Sequence, residues 1–406
     1  MSTAARTADR SDATCDLRTF ASAGHSELQQ VRVEGGVPDD LAAQVARDAL
    51  VLPVLWQFHA RLGHLSPLSD HGMLVGLELA GPNPDPDRMW ADAAAAQAAV
   101  RGAISECFPP DQAAKAARRA VAVRTDSSHG LATFATFAAS PAGRTPTRVL
   151  AGTLEQDTIS ETVDLLAVAS ADATRLPTRM LVLATVRTAD EISAPHPELP
   201  VLRELAADPG LAIDLPRGTS PPPWLEVESW RADLAYLQGR RAIPPVGTVR
   251  DLAAVLIAHQ ARFGPYTSLT DTAVRLREPL SYLWDCVVDL FRGEFLMLAA
   301  PDVASADRVV TAIRAADEDG APVAAASIDA ARRILRTQVL RRLASTRSAL
   351  AAHAELQRSG LPAPLWASLA TALRDVSHAE IDASVPGLLV TEPAFTLVVP
   401  AGRSSS

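Results

Sequence analysis

Two aspartates stand four residues apart in Ser281-Tyr282-Leu283-Trp284-Asp285-Cys286-Val287-Val288-Asp289-Leu290-Phe291. Read as a helix, that spacing puts Asp285 and Asp289 on one face, in a segment apolar almost all round. A buried carboxylate must be paired, metal-bound or protonated. Two together suit general acid–base catalysis or magnesium, so these are the expected catalytic residues. Arg275, Arg277 or Arg292 would equally serve as ion-pair partners, arginine being the cation suited to buried pairs.

A second group is His59, His64, Asp70 and His71, four possible ligands within 13 residues. Three histidines and a carboxylate could hold zinc or iron. On one straight helix His59 and His64 stand about 140° apart. Gly63 would have to end that helix and let residues 64–71 fold back. The standard H-E-x-x-H spacing is missing. The alternative is ordinary histidines at a helix end, where the cation suits the negative dipole.

A third is the helix with Arg332, Arg333, Arg336, Arg341, Arg342 and Arg347, in which no acid falls between Asp329 and Glu355. Arg332, Arg333, Arg336 and Arg347 share about 100° of the helical wheel. Such a face could bind phosphate groups or an acidic partner. Asp126-Ser127-Ser128-His129-Gly130 combines the residue types of a hydrolase triad, but triads are assembled from distant parts of a chain. A hairpin turn between strands Val121–Thr125 and Leu131–Ala138 accounts for its composition. Trp224 and Trp230, around Glu226 and Glu228, read as a packed junction.

Lys115 is the only lysine among 38 lysines and arginines. No glycine-rich turn precedes it, which excludes a lysine-bearing phosphate loop. Its alanine-rich, arginine-flanked setting does not suit a Schiff base. Codon bias toward arginine and alanine accounts for the scarcity better than selection against lysine modification.

The 406 residues are 48% hydrophobic and 21% charged, with a net charge of −9. That composition is ordinary for a folded protein. The acidic balance and 4% aromatic content argue against nucleic acid. Three scattered cysteines, Cys15, Cys107 and Cys286, suggest a reducing compartment rather than a disulfide framework or a cysteine zinc site. No apolar run approaches a membrane span, and residues 1–28 lack the order of a signal peptide. The expectation is a soluble cytoplasmic protein. The partner would be a protein or an anionic small molecule. The sequence names no cofactor and no oligomeric state.

The elements that must position these groups imply an α/β fold. Residues 1–28 and 401–406 read as tails. Residues 29–215 read as a domain with a mixed sheet and flanking helices. Residues 216–224, with Pro221-Pro222-Pro223, read as a linker. Residues 225–400 read as a helix-rich α/β domain with a small sheet. Strands are expected at Gln29–Glu34, Met73–Leu79, Arg179–Arg187, Leu211–Leu215, Glu294–Ala299, Pro322–Ala326 and Gly387–Val399. Helices are expected at 226–240, 248–263, 269–292, 304–316, 329–358 and 364–380. Phe295–Leu298, helix 304–316 and strand 322–326 form a plausible βαβ unit. No repeat of fixed period is visible.

One stretch resembles a known family. Arg148-Val149-Leu150, Gln156, Asp164-Leu165-Leu166, strand Met180–Arg187, and His196-Pro197-Glu198-Leu199 with Leu205 are similar to the middle of the large signal-transduction ATPases. The resemblance implies a nucleotide-binding regulator, with Arg187 closing the second strand. The chain departs from that pattern where acids should end the first strand, at Thr153 and Leu154. It departs again at Gly81-Pro82-Asn83-Pro84, in place of a phosphate loop. Those departures remove the means of ATP hydrolysis. Two readings follow: a binding or regulatory protein related to these ATPases, or an enzyme of specialised metabolism using Asp285 and Asp289 or the histidine cluster.

Overall fold

The computed structural model describes residues 127–139, 207–216, 223–229, 232–266, 268–290, 292–318, 323–343, 352, 356, 360–362 and 364–400, together with six strands before residue 203. The chain divides into two compact units. One comprises Met1–Val123 and Glu155–Glu204, the other Arg124–Leu154 and Leu205–Ser406. The class is α/β with mixed sheets, and the second unit is helix-rich around a small sheet, as the sequence indicates.

The first unit holds β1 (Arg18–Ala21), β2 (Gln29–Glu34), β3 (Leu65–Asp70), β4 (Met73–Gly81), β5 (Leu183–Arg187) and β6 (Val201–Leu202). Their order is β3-β4-β2-β5-β1-β6. β1 runs parallel to β5 and β6, and the other pairs are antiparallel.

The second unit holds β7 (Trp224–Ser229), β8 (Tyr236–Ala242), β9 (Ser281–Asp289), β10 (Glu294–Pro301) and β11 (Ala394–Pro400), in the order β7-β11-β8-β10-β9. Only β7 and β11 are parallel. Its helices are α1 (Ser128–Ala139), α2 (Val249–Phe263), α3 (Ala306–Glu318), α4 (Ala325–Leu343), α5 (Leu365–Asp375) and α6 (His378–Leu389).

The two sheets have one topology. β9-β10-β8-β11-β7 repeats β3-β4-β2-β5-β1 in order and in the sense of every pairing. Counterparts are separated by 206 residues at the first strand (Arg18 to Trp224) and 221 at the fourth (Met73 to Glu294). The tetrapeptide Asp40-Leu41-Ala42-Ala43 recurs as Asp251-Leu252-Ala253-Ala254 after the second strand of each set.

α2 starts where it does because Thr248 and Asp251 form a capping box. The Thr248 hydroxyl accepts the Asp251 N–H at 3.2 Å and the Asp251 carboxylate accepts the Thr248 N–H at 3.0 Å. It stops at Gly264, where a Cβ would strike the Gln260 carbonyl. All residues from Leu252 to Phe263 are buried, which is the pattern of a central helix. Below the sheet, α2 packs against α4, α5 and α6. The inward side chains of the sheet, among them Leu237, Trp284, Phe295, Met297, Phe395 and Leu397, close the core over it.

α1 covers the other face of the sheet. Its Thr136 hydroxyl meets that of Thr396 at 2.7 Å, Gln238 donates to Thr133 at 3.3 Å, and His129 Nδ1 meets the Tyr236 hydroxyl at 2.8 Å.

Several expected elements are corrected. Residues 127–130 are no hairpin turn: the Ser127 hydroxyl accepts the Gly130 N–H at 3.0 Å and starts α1. The helix expected at 226–240 is β7 and β8, because Glu226 and the Arg240–Arg241 pair mask strand alternation. The strand expected at 322–326 gives way to α4, which starts at Ala325, and β10 is antiparallel to both neighbours, so no βαβ unit forms. Gly387 belongs to α6, and the last strand starts at Ala394. Leu211–Leu215 makes only a bridge from Ala212 to Thr248.

Candidate interaction edge

The expected helix 269–292 is the largest correction, and it moves the aspartate pair. A turn of α-helix, Leu269–Asp271, widens into a π-helix at Thr272–Arg277, and the chain then enters β9. Leu283 and Val287 stand on the same face as Asp285 and Asp289, opposite the apolar Trp284, Cys286 and Val288, so the alternation is hidden in the sequence. On a strand, residues four apart share a face but stand about 13 Å apart along it. Asp285 and Asp289 are therefore not a coupled pair.

Each aspartate instead serves the strand. Asp285 Oδ1 accepts the N–H of Cys286 at 2.8 Å, and partial burial pushes its carboxyl up. Asp289 closes the β9–β10 turn by accepting the Arg292 N–H at 3.1 Å and the Arg292 guanidinium at 3.3 Å. β9 is the edge of its sheet. Charges on an edge strand discourage indiscriminate pairing.

The inward side of β9 is tightly held. Trp284 Nε1 donates to the Phe263 carbonyl at 2.7 Å, and the Cys286 thiol donates to the same oxygen at 3.0 Å. The last carbonyl of α2 is thus fixed by two side chains of the edge strand. Burial pushes the Cys286 thiol far up, with Asp285 adding to it, so it stays a protonated donor.

β9 also carries apolar groups exposed to water. Tyr282 is 92% exposed, and Leu283 and Val287 are also exposed. Tyr266, Leu269 and Leu276, on the connection into β9, are exposed as well. Tyr266 has φ 80°, the left-handed region that a bulky residue adopts only under constraint. The constraint is Asp271, whose carboxylate accepts the Tyr266 N–H at 3.0 Å and pairs with Arg275 at 3.4 Å. A held backbone outlier, a π-helix and exposed apolar residues stand together at this sheet edge, which makes it the candidate contact surface among the described residues. Sequence reasoning missed it because its residues are scattered from 266 to 287.

The other sequence candidates are placed differently. Arg332 lies on α4 and donates to the carbonyls of Arg374 and Val376, each at 2.9 Å. It caps the C-terminal end of α5, where a cation is favoured. Arg333 is exposed, and Arg336 adds positive potential at Asp375. Arg342 lies over the Trp366 ring, 4.9 Å from its centre. Arg332→Ala is expected to lower stability by about 1 kcal/mol, read as a lower urea midpoint with unchanged slope. His59, His64 and His71 lie outside the described residues, and Asp70 ends β3 opposite Met73. Trp224 opens β7, and Trp230 lies outside the described residues. Among the described residues no three His, Cys, Asp or Glu side chains gather as for a metal ion, and no helix is long and apolar enough to cross a membrane.

One buried ion pair joins β8 to β10, and a half-buried one joins β8 to α3. Arg240 pairs with Glu294 at 2.9 Å across β8 and β10, with both side chains almost fully buried. Arg241, next in sequence and on the opposite face, pairs with Asp317 of α3 and lies over the Phe263 ring at 4.7 Å. Burial pushes the Asp317 carboxyl up, and the Arg241 guanidinium opposes that shift.

The sequence matches no family model and no curated protein. Solved structures share its fold over nearly the whole chain. The peptidase M16 inactive domain from Pseudomonas fluorescens superposes with a TM-score of 0.58 at 13% identity, covering 97% of both chains. A chain of Complex III2 from Candida albicans gives 0.62 at 10% identity, over 95% of this chain and 93% of that one. The periplasmic protease PqqL from Escherichia coli gives 0.53 at 14% identity, over 94% of this chain but 44% of that one. These likenesses show the fold. They overturn the kinship with signal-transduction ATPases, whose resemblance rested on strand–helix order that an unrelated α/β fold also supplies. Nothing supports the specialised-metabolism reading. Residues 148–166 and 196–199, which carried the ATPase resemblance, lie outside the described residues, and Leu183–Arg187 is β5.

Proposed function

We propose that this chain is a peptidase-fold protein without zinc hydrolysis, serving as the silent chain of an assembly with a second peptidase-fold chain. The observation that carries this is histidine spacing. Zinc peptidases of the H-E-x-x-H and H-x-x-E-H types need two histidines four residues apart on a helix, with a glutamate between them. No two of the nine histidines here stand four apart, and the nearest pair, His59 and His64, are five apart. An inactive domain and a subunit of a large complex among the fold relatives support the same reading.

The β9 edge is the surface for such a partner. A second copy laid antiparallel and centred on Asp285 or Val287 would set Asp285 against Asp285 or against Asp289, and like charges directly opposite are destabilising. A strand of different sequence bearing arginine or lysine meets those aspartates favourably. Three cysteines in 406 residues, with Cys286 a buried thiol, support a cytoplasmic setting.

The test is turnover of a quenched fluorescent peptide with added zinc. No cleavage above the buffer rate is expected. Zinc-dependent cleavage abolished by His59→Ala or His64→Ala would overturn the reading and make the His59–His71 cluster a metal centre.

A further inference from the structure

We propose that the second unit carries an acid-sensitive release between its central helix and its sheet, with the buried ring of His259 as the trigger. His259 sits on α2 and is only 1% exposed. Its ring lies flat on Phe295 of β10, with centroids 3.7 Å apart and planes 5° from parallel, and its other neighbour is Phe263 at 5.1 Å. Its Nε2 is buried and has no hydrogen-bond partner. This slot fits a neutral aromatic ring.

The charged groups around it cannot welcome a second cation. Arg241 of β8, directly opposite Phe295 in register, presents a permanent guanidinium. Arg262 of α2 donates to the Ala316 carbonyl at 3.0 Å. Asp317 of α3 is engaged by Arg241. Cys286 of β9 is bonded to the Phe263 carbonyl, and Asp271 is bonded to Tyr266 and Arg275. From the helices beneath, Glu380 and the Asp375 carbonyl meet Arg250 at the far, N-terminal end of α2.

Burial and the neighbouring Arg241 hold the His259 imidazole well below its ordinary range. The unfolded chain takes up a proton near pH 6.5 and the folded chain does not. Stability is therefore complete above that pH and falls as pH drops, with the unfolding constant rising about tenfold per unit. Asp317 works with the opposite sign: its raised carboxyl favours the folded state in acid, so it cannot cause acid release. Cys286, also raised, weakens the fold only in alkali. Protonated His259 must leave the Phe295 stack, and α2 loses its seat on β10.

The test is hydrogen exchange of the full chain from pH 7.5 to 5, followed on peptides covering 249–263 and corrected for intrinsic rates. Protection in α2 should fall about tenfold per unit below pH 6.5 in the wild type. His259→Phe, which keeps the stack without the proton, should lose that dependence, whereas the exposed His378→Gln should keep it. An equal pH slope in His259→Phe would overturn the proposal. Should that variant not fold, imidazole carbon shifts of the wild type decide. A His259 that titrates near pH 6.5 with α2 still protected sinks the idea, and one that stays neutral until protection is lost supports it.

Discussion

Arg241→Met should cost the second unit about 3–5 kcal/mol, the range for breaking a buried pair from one side. The Arg241 side chain is 0% exposed and its partner Asp317 is 17% exposed. Removing the guanidinium takes from Asp317 its hydrogen-bonded ion-pair partner, leaving only the more distant field of Arg262, and takes away the contact with Phe263. The loss should appear as a lower urea midpoint for the second unit and as faster exchange in α2 and α3. The companion variant Arg241→Met/Asp317→Leu should recover most of the loss, because apolar replacement of a whole buried pair is often neutral. A single variant within about 1 kcal/mol of wild type would mean that solvent reaches Asp317 freely enough to replace the arginine.

Trp284→Ala should be comparably severe, about 3–5 kcal/mol, by leaving a cavity and freeing the Phe263 carbonyl. Trp284 is 2% exposed and is the main inward group of the edge strand. Trp284→Phe separates the two contributions. It keeps most of the volume, loses the 2.7 Å bond to Phe263, and should cost about 1 kcal/mol. If Phe proves as damaging as Ala, the hydrogen bond rather than the ring volume anchors β9 to α2. Either way the outward residues of β9 lose their rigid backing, so partner capture should weaken together with stability.

The fold class was readable because its strongest signals were local. Gln29–Glu34 and the helix near 248–263 stand almost at their expected bounds, the latter because Thr248 and Asp251 spell a capping box. β9 was misread for a physical reason: a strand with apolar residues on both faces reads like a buried helix segment, and two aspartates four apart reinforce the wrong period. β8 was lost because Arg240 and Arg241 are buried charges, each satisfied by a carboxylate 54 or 76 residues away. The same distance hid the role of Arg332, whose acceptors lie 42 and 44 residues on. The duplicated sheet left no fixed period because its connections differ in length. The β3–β4 turn holds two residues and the β9–β10 turn four.

The provenance of α1 bears on any attempt to divide the molecule. Its residues lie between Val123 and Glu155, both of which belong to the first unit, yet it completes the second. A single cut at 204/205 would leave Tyr236, Gln238 and Thr396 without His129, Thr133 and Thr136. A fragment beginning at Leu205 would expose part of one sheet face and should be sticky in isolation. Supplying residues 124–154 as a separate peptide should restore it. Although the sheets look like two copies of one module, the chain cannot be shuffled as two independent cassettes.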